Sequence, residues 1–279
     1  NKIWLRGGRC WLRAMLSQWS GEERLHANVL TPVLISGKQG LSKSTFCRLL
    51  MPDSLRHYFI DNLNLTAGSS PEKKLVKNGL INLDEFDKIK ESQQATLKNL
   101  LQMVNVPVFR GKRLGWVNES RLASFIATTN VYQVLIDSTG SRRFLCVEVL
   151  KPISEEPLEH KQIYAQLKEE LKSGAPDYLN KEEEKALQKH NKAYYRQSLL
   201  EDVFHCCFRH PLETEKGIWL TTAEIFQVMR KFNSAALKEV SARQLGLKLS
   251  AMGYMAKHTS FGNRYYVFNL LAEKKEVSL

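Results

Sequence analysis

The sequence predicts an α/β domain with a largely parallel sheet, then a helical connector and a C-terminal winged-helix domain. Short apolar runs alternate with helical stretches through residues 1–150, and that alternation marks strands joined by crossover helices. Residues 151–197 turn polar and densely charged. In 198–279 the order becomes helix, strand, helix, helix and two alternating runs around the turn SFGN, which is the order of a winged helix-turn-helix.

Residues 3–19 carry Ile3, Trp4, Leu5, Trp11, Leu12, Met15, Leu16 and Trp19 at helical spacing, so an amphipathic helix is expected, with a break allowed at Gly7-Gly8. PVLIS (32–36), LINLDEF (80–86), RLASFIATTN (121–130) and RRFLCVEV (142–149) read as strands. KSTFCRLLM (43–51) and ESQQATLKNLLQMV (91–104) read as helices between them. KQIYAQLKEELKSG and NKEEEKALQKHNKAYYRQ supply two connector helices. Further on, SLLEDVFHCCFRH is a helix, and IWLTTAEIFQVMRKF is a short strand, a threonine cap and a helix. SARQLGLKLSAMG is a helix capped by Ser241, with Leu245, Leu249 and Met252 facing the core.

The chain has 279 residues, is 43% hydrophobic and 25% charged, and carries a net charge of +12. Such a surplus favours polyanionic partners, nucleic acid first, although lysine in excess for solubility gives the same count. No apolar run approaches the ~20 residues of a membrane helix. The basic N-terminus lacks the apolar core of a signal peptide. Five cysteines, an odd number without C-x-x-C spacing, argue against a disulfide framework or a zinc site and fit a reducing cytoplasm. His205 beside Cys206-Cys207 has the wrong spacing for a metal and reads as part of a packed helix. The start at Asn1 reads as a fragment of a longer protein.

The stretch LISGKQGLSKST (34–45) nearly fits the phosphate-binding pattern G-x-x-x-x-G-K-[ST]. Gly37, Lys43 and Ser44 fall in place, Gly40 lies within the loop and Thr45 follows it, but Ser42 stands where the second glycine belongs. Glycines let backbone N–H groups close on phosphates, a lysine reaches the β/γ-phosphates, and a hydroxyl holds Mg²⁺. If the backbone at Ser42 needs positive φ, a side chain there is strained; if not, serine fits. LINLDEFD ends a strand in Asp84-Glu85, suited to hold Mg²⁺ and to polarise an attacking water, or to cap an ordinary helix. RLASFIATTN ends in Thr128, Thr129 and Asn130, where an amide can orient water or a terminal phosphate, or only make a turn. DSTGSRRF places Arg142 and Arg143 after a turn, suited to stabilise transition-state charge on a neighbouring subunit's nucleotide, or simply exposed.

GKQGLSKSTF, LDEFD, RLASFIATTN and TGSRRF, in that order between Val29 and Val149, resemble the virulence-associated E family of P-loop ATPases. That family is similar to the superfamily 3 helicases and primase-helicases of phages and mobile elements. The resemblance implies an AAA+-like ATPase core, ATP with Mg²⁺, and assembly as a homo-oligomer on DNA, with a hexameric ring as the candidate arrangement. It implies Gly37, Gly40, Ser42, Lys43, Ser44 and Thr45 as phosphate-loop residues, and Ser44 with Asp84 as metal residues. Glu85 becomes the base, Asn130 the sensor, and Arg142 or Arg143 the arginine finger. The family usually has glycine at the position of Ser42. In the resembling helicases a DNA-contacting hairpin occupies the region of VFRGKRLGWVNESR (108–121). Arg110, Lys112 and Arg113 can track a phosphate backbone there, while Trp116 stacks on a base or packs in the core.

In the winged helix, Arg243 and Lys248 lie on the recognition helix, and Lys257, His258 and Arg264 flank the wing, for DNA or for protein contacts. Three functions stay open. One is an ATP-driven helicase-like motor in replication of a mobile element or phage. Another is a nucleotide switch or loader without motor activity. The last is a DNA-binding regulator whose ATPase core is vestigial.

Overall fold

The computed structural model describes residues 2–21, 25–66, 69–136, 141–196, 199–238, 240–260 and 262–271. The chain divides into two compact units, Asn1–Tyr195 and Arg196–Leu279. The first is a mixed α/β unit. Its helices are α1 (Lys2–Trp19), α2 (Lys43–Leu49), α3 (Glu72–Lys77), α4 (Glu91–Gln102), α5 (His160–Lys172) and α6 (Lys181–Asn191). Five of its strands, β1 (Thr31–Ile35), β2 (Phe59–Asp61), β3 (Leu80–Leu83), β6 (Ser124–Thr129) and β7 (Phe144–Glu148), form one parallel sheet in the order β2-β3-β6-β1-β7. A separate antiparallel hairpin joins β4 (Asn105–Phe109) to β5 (Trp116–Ser120).

The central strands β1, β3 and β6 are buried on both faces, which is why they read as near-continuous apolar runs. Side chains alternate along each strand. Val33, Ile35, Ile81, Leu83, Phe125, Ala127, Phe144 and Cys146 pack on one face with Leu97, Leu100 and Leu101 of α4. Leu34, Leu80, Ile126 and Leu145 pack on the other with Trp11 and Met15 of α1 and Leu187 of α6. Helix α1 is unbroken at Gly7-Gly8. A Cβ on Gly7 would lie 2.9 Å from Leu145 Cδ2, so glycine there serves close approach of the helix to β7 rather than a break. Trp11 Nε1 donates to the Phe125 carbonyl at 2.9 Å and ties the helix to β6 as well.

The stretch 151–195, expected as a connector, is packed into the first unit. Glu170 of α5 accepts from Arg13 of α1 at 2.8 Å and also from Arg9. Asn191 at the end of α6 donates to the carbonyls of Ser141 and Phe144 at 2.8 and 2.7 Å. Sequence periodicity gives two helices here but not what they dock on.

The second unit holds α7 (Leu199–Cys207), β8 (Phe208–Arg209), β9 (Ile218–Thr221), α8 (Thr222–Phe232), α9 (Ala242–Ala251), β10 (Ala256–Thr259) and β11 (Gly262–Asn269). β10 and β11 form a hairpin, and β9 and β8 each pair antiparallel with β11. Thr221 and Ser241 cap α8 and α9, with Glu224 and Gln244 completing reciprocal capping boxes. Leu245 and Leu249 are buried with Phe204, Ile225, Met229 and Tyr265, and Met252 packs against that cluster. Phe261 of the turn SFGN lies outside the described residues, as do residues 137–140 ahead of Arg142. Among the described residues, no helix is long and apolar enough to cross a membrane.

Candidate functional site

The carboxyl ends of β1, β6 and β3 lie side by side, because β6 is inserted between the other two. In open parallel sheets ligands bind at this edge. A cavity of about 360 Å³ opens there, lined by residues 39–45, Asp84, Glu85, Asp87 and residues 128–130. Three segments far apart in the sequence thus meet: the loop after β1, the turn after β3 and the end of β6.

Lys43 opens α2 and is only 8% exposed. Its Nζ donates to Ser36 Oγ at 2.5 Å and to Asn130 Oδ1 at 2.8 Å. Burial pushes its ammonium below the usual lysine range, and the Asp84 carboxylate opposes that shift. Ser44 Oγ donates to Asp84 Oδ1 at 3.2 Å, and Thr128 Oγ1 donates to the same oxygen. Thr129 Oγ1 donates to Asp87 Oδ1 at 2.6 Å. Glu85 sits at the rim, where its carboxylate accepts from Lys88 at 2.6 Å.

Ser42 adopts φ 57° and ψ 26°, and Glu85 φ 52° and ψ 48°. Both are left-handed, a conformation that costs an L-residue with a side chain about 1–2 kcal/mol. The loop therefore keeps the backbone shape a glycine favours although serine occupies the position. Gly40 is also left-handed, at φ 75°. Gly37 lies outside the cavity lining. A Cβ there would stand 3.0 Å from the Tyr132 ring, whose hydroxyl donates to Glu148 at 2.7 Å. Thr45 lines the cavity behind Ser44.

Arg142 and Arg143 end a 3-10 turn, Ser141–Arg143, and do not line the cavity. Arg142 pairs with Glu184 of α6 at 3.3 Å. Ser36, Asp87 and Glu155 escaped the sequence reading. Asp87 closes the same DEFD run as Asp84, and Ser36 is the last residue of PVLIS, so local signals for both were present. Glu155, which accepts from Ser42 Oγ at 2.6 Å, lies 113 residues away and left none.

The basic stretch 108–121 forms the turn and second strand of the β4–β5 hairpin. Lys112 and Arg113 are exposed at its turn, while Arg110 pairs with Glu119 across the strands. Trp116 is 72% exposed and rests against Phe109 with ring centroids 5.6 Å apart, so it is not a core residue.

In the second unit, Arg243 is exposed beside a cavity of about 460 Å³ between α8, α9 and β11. Lys248 is ion-paired with Glu201 at 2.9 Å. Lys257 and Arg264 are direct register partners on β10 and β11, with Lys257 Nζ 4.4 Å above the Trp219 ring. His258 Nδ1 lies 2.9 Å from Asn263 Oδ1.

Residues 27–196, more than half of the chain, match the virulence-associated protein E-like domain, and the chain belongs to that family. Residues 197–267 match a second family, described as a domain of unknown function from a B. theta gene (DUF3874). No curated protein matches the chain. Solved structures of the NrS-1 C-terminal region are similar. An apo structure of its residues 305–718 is 12% identical with a TM-score of 0.43, over 94% of this chain and 70% of that one. Two A-form apo structures are 16% and 15% identical, with TM-scores of 0.41 and 0.40. Each match covers 90% of this chain, which spans 59% and 58% of those two.

Proposed function

We propose that the first unit is an AAA+-like P-loop ATPase core that binds ATP with Mg²⁺, and that the second is a winged-helix DNA-binding domain. The whole then acts as a helicase-like ATPase in replication of a mobile element or phage. The observation that carries this reading is the convergence of Lys43, Ser44, Asp84 and Asn130 around one cavity at the carboxyl edge of a parallel sheet. Membership of the virulence-associated E-like family supports it.

The residues present suit the groups they would hold. An ammonium, a hydroxyl and a carboxylate are the donors that phosphate and a hard cation such as Mg²⁺ take. Ser44 and Asp84 would hold Mg²⁺, which supplies neutralisation of phosphate charge. Lys43, now satisfied by Ser36 and Asn130, would exchange those neutral acceptors for phosphate oxygens. Asn130, released from Lys43, would present its amide to the attacking water. Glu85 would leave Lys88 to take that water's proton.

Arg142 and Arg143 stand away from their own chain's cavity, which favours a role toward a neighbouring subunit in a homo-oligomer. For DNA, the exposed Phe109–Trp116 pair beside Lys112 and Arg113 combines ring faces with positive charge, as single-strand binders do. Like charges opposite each other across a hairpin are unfavourable. The Lys257–Arg264 pair therefore favours an anionic partner at the wing.

One set of observations favours the switch reading instead. Glu85 is left-handed and tied to Lys88, and Ser42 is left-handed without glycine, so assembly of a hydrolytic site carries a cost. Hydrolysis of ATP by the full chain, with and without single-stranded DNA, separates the readings. DNA-stimulated turnover is expected. Binding without turnover moves the protein to a switch, and no nucleotide binding leaves a DNA-binding regulator.

A further inference from the structure

We infer that Glu155 is a positioning residue for the phosphate loop, holding Ser42 in the left-handed turn where glycine usually sits. The inference rests on the nucleotide-site reading for its functional consequence, though not for its geometry.

After β7 the chain runs back across the loop. Val149 N donates to the Ile35 carbonyl at 2.7 Å, and Ile153 N donates to the Leu41 carbonyl at 3.2 Å. The segment is thereby pinned at the end of β1 and one residue before Ser42. It delivers Glu155, whose Oε1 accepts from Ser42 Oγ at 2.6 Å.

Serine at a helix N-cap ordinarily turns its oxygen to a backbone N–H of the first turn. Ser42 precedes α2 at φ 57° and makes no such bond. Its hydroxyl is committed to Glu155 instead. Glu155 does not line the cavity that Ser42 lines, so it acts through the serine and not on a ligand. A left-handed serine is disfavoured by its Cβ, and the charge-assisted hydrogen bond it makes to Glu155 in that geometry offsets the penalty. Loop and return segment together replace what a glycine supplies alone.

The test is a double-mutant cycle in the full chain, crossing Glu155→Ala and Glu155→Gln with Ser42→Gly. Two readouts are taken. One is Mg-ATP affinity. The other is hydrogen exchange at the Phe46 amide, which donates to the Ser42 carbonyl at 2.9 Å and reports the turn without nucleotide. Glu155→Ala should weaken affinity and speed exchange by about fivefold each, the size of one net hydrogen bond. Glu155→Gln should fall between wild type and Glu155→Ala, because an amide oxygen accepts the same hydroxyl without the carboxylate's charge. With Ser42→Gly in place, Glu155→Ala should change neither readout. Tighter ATP binding in both Glu155 variants would overturn the inference, since the carboxylate would then be acting against the phosphates. An effect of equal size with and without Ser42→Gly overturns it too. If wild type binds no ATP, the nucleotide-site reading fails, and the exchange cycle alone decides: coupling between positions 42 and 155 supports the holding role, and its absence refutes it.

Discussion

Trp116→Ala isolates base stacking from charge. The side chain is 72% exposed and its ring neighbour is Phe109, itself exposed, so its loss opens no core cavity. Stability should change by no more than about 0.5 kcal/mol, as for surface substitutions generally. Stacking of one base on an aromatic ring contributes about 1–3 kcal/mol. At about 1.4 kcal/mol per tenfold, single-stranded DNA affinity should fall about 5- to 150-fold. Anisotropy of a labelled oligonucleotide across a salt series measures it. The slope of affinity against salt should stay unchanged, because no phosphate contact is lost. Lys112→Ala with Arg113→Ala should do the reverse, lowering the slope by about 1.4 for two phosphate contacts on a single strand. Undiminished affinity in Trp116→Ala, with the fold intact, would refute the stacking role and leave an exposed aromatic pair of other purpose.

Arg143→Ala should bind ATP normally yet turn over about 10³-fold more slowly, and mixing with Lys43→Ala should restore activity if the arginine acts in trans. A mixture no more active than the sum of its parts refutes that role. Arg243→Ala should weaken duplex DNA binding by the full chain more than Lys248→Ala does, because Lys248 is already paired with Glu201; competition binding at fixed salt checks it. Glu170 is held down to about 2, first by its hydrogen bond from Gln166 and then by those from Arg9 and Arg13. A depressed carboxylate stabilises the fold above its unfolded value of about 4.3, and that contribution disappears as pH falls toward the folded value. Unfolding midpoints should therefore drop between about pH 4.3 and about pH 2 in wild type, and more shallowly in Glu170→Gln.

The parallel sheet was legible because strands buried on both faces leave uninterrupted apolar runs, as in PVLIS and LINLDEF. β2 was not, since three residues at a half-buried edge carry no periodic signal. Strand order was hidden as well, because pairing β6 between β1 and β3 is a non-local choice that no window contains. Within the candidate site, Lys43 and Ser44 were readable because they complete a phosphate-loop pattern at the start of a helix, and Asp84 and Asn130 because each directly follows a strand. The sequence left open whether the backbone at Ser42 needs positive φ; its φ of 57° answers that. Trp116 in a basic loop fits core and surface equally, and only its 72% exposure on the β4–β5 hairpin decides. Glu155 lies outside every local pattern, and its partner becomes visible only when the chain returns across the loop.

Equilibrium titration of Mg-ATP into the full chain, wild type against Lys43→Ala with unchanged circular dichroism, tests the central claim most directly. Wild type should bind in a Mg²⁺-dependent way, and Lys43→Ala at least about 30-fold more weakly, the loss expected when one partner of a buried charge pair is truncated. Equal affinity in the two proteins, or no binding by wild type, would contradict it.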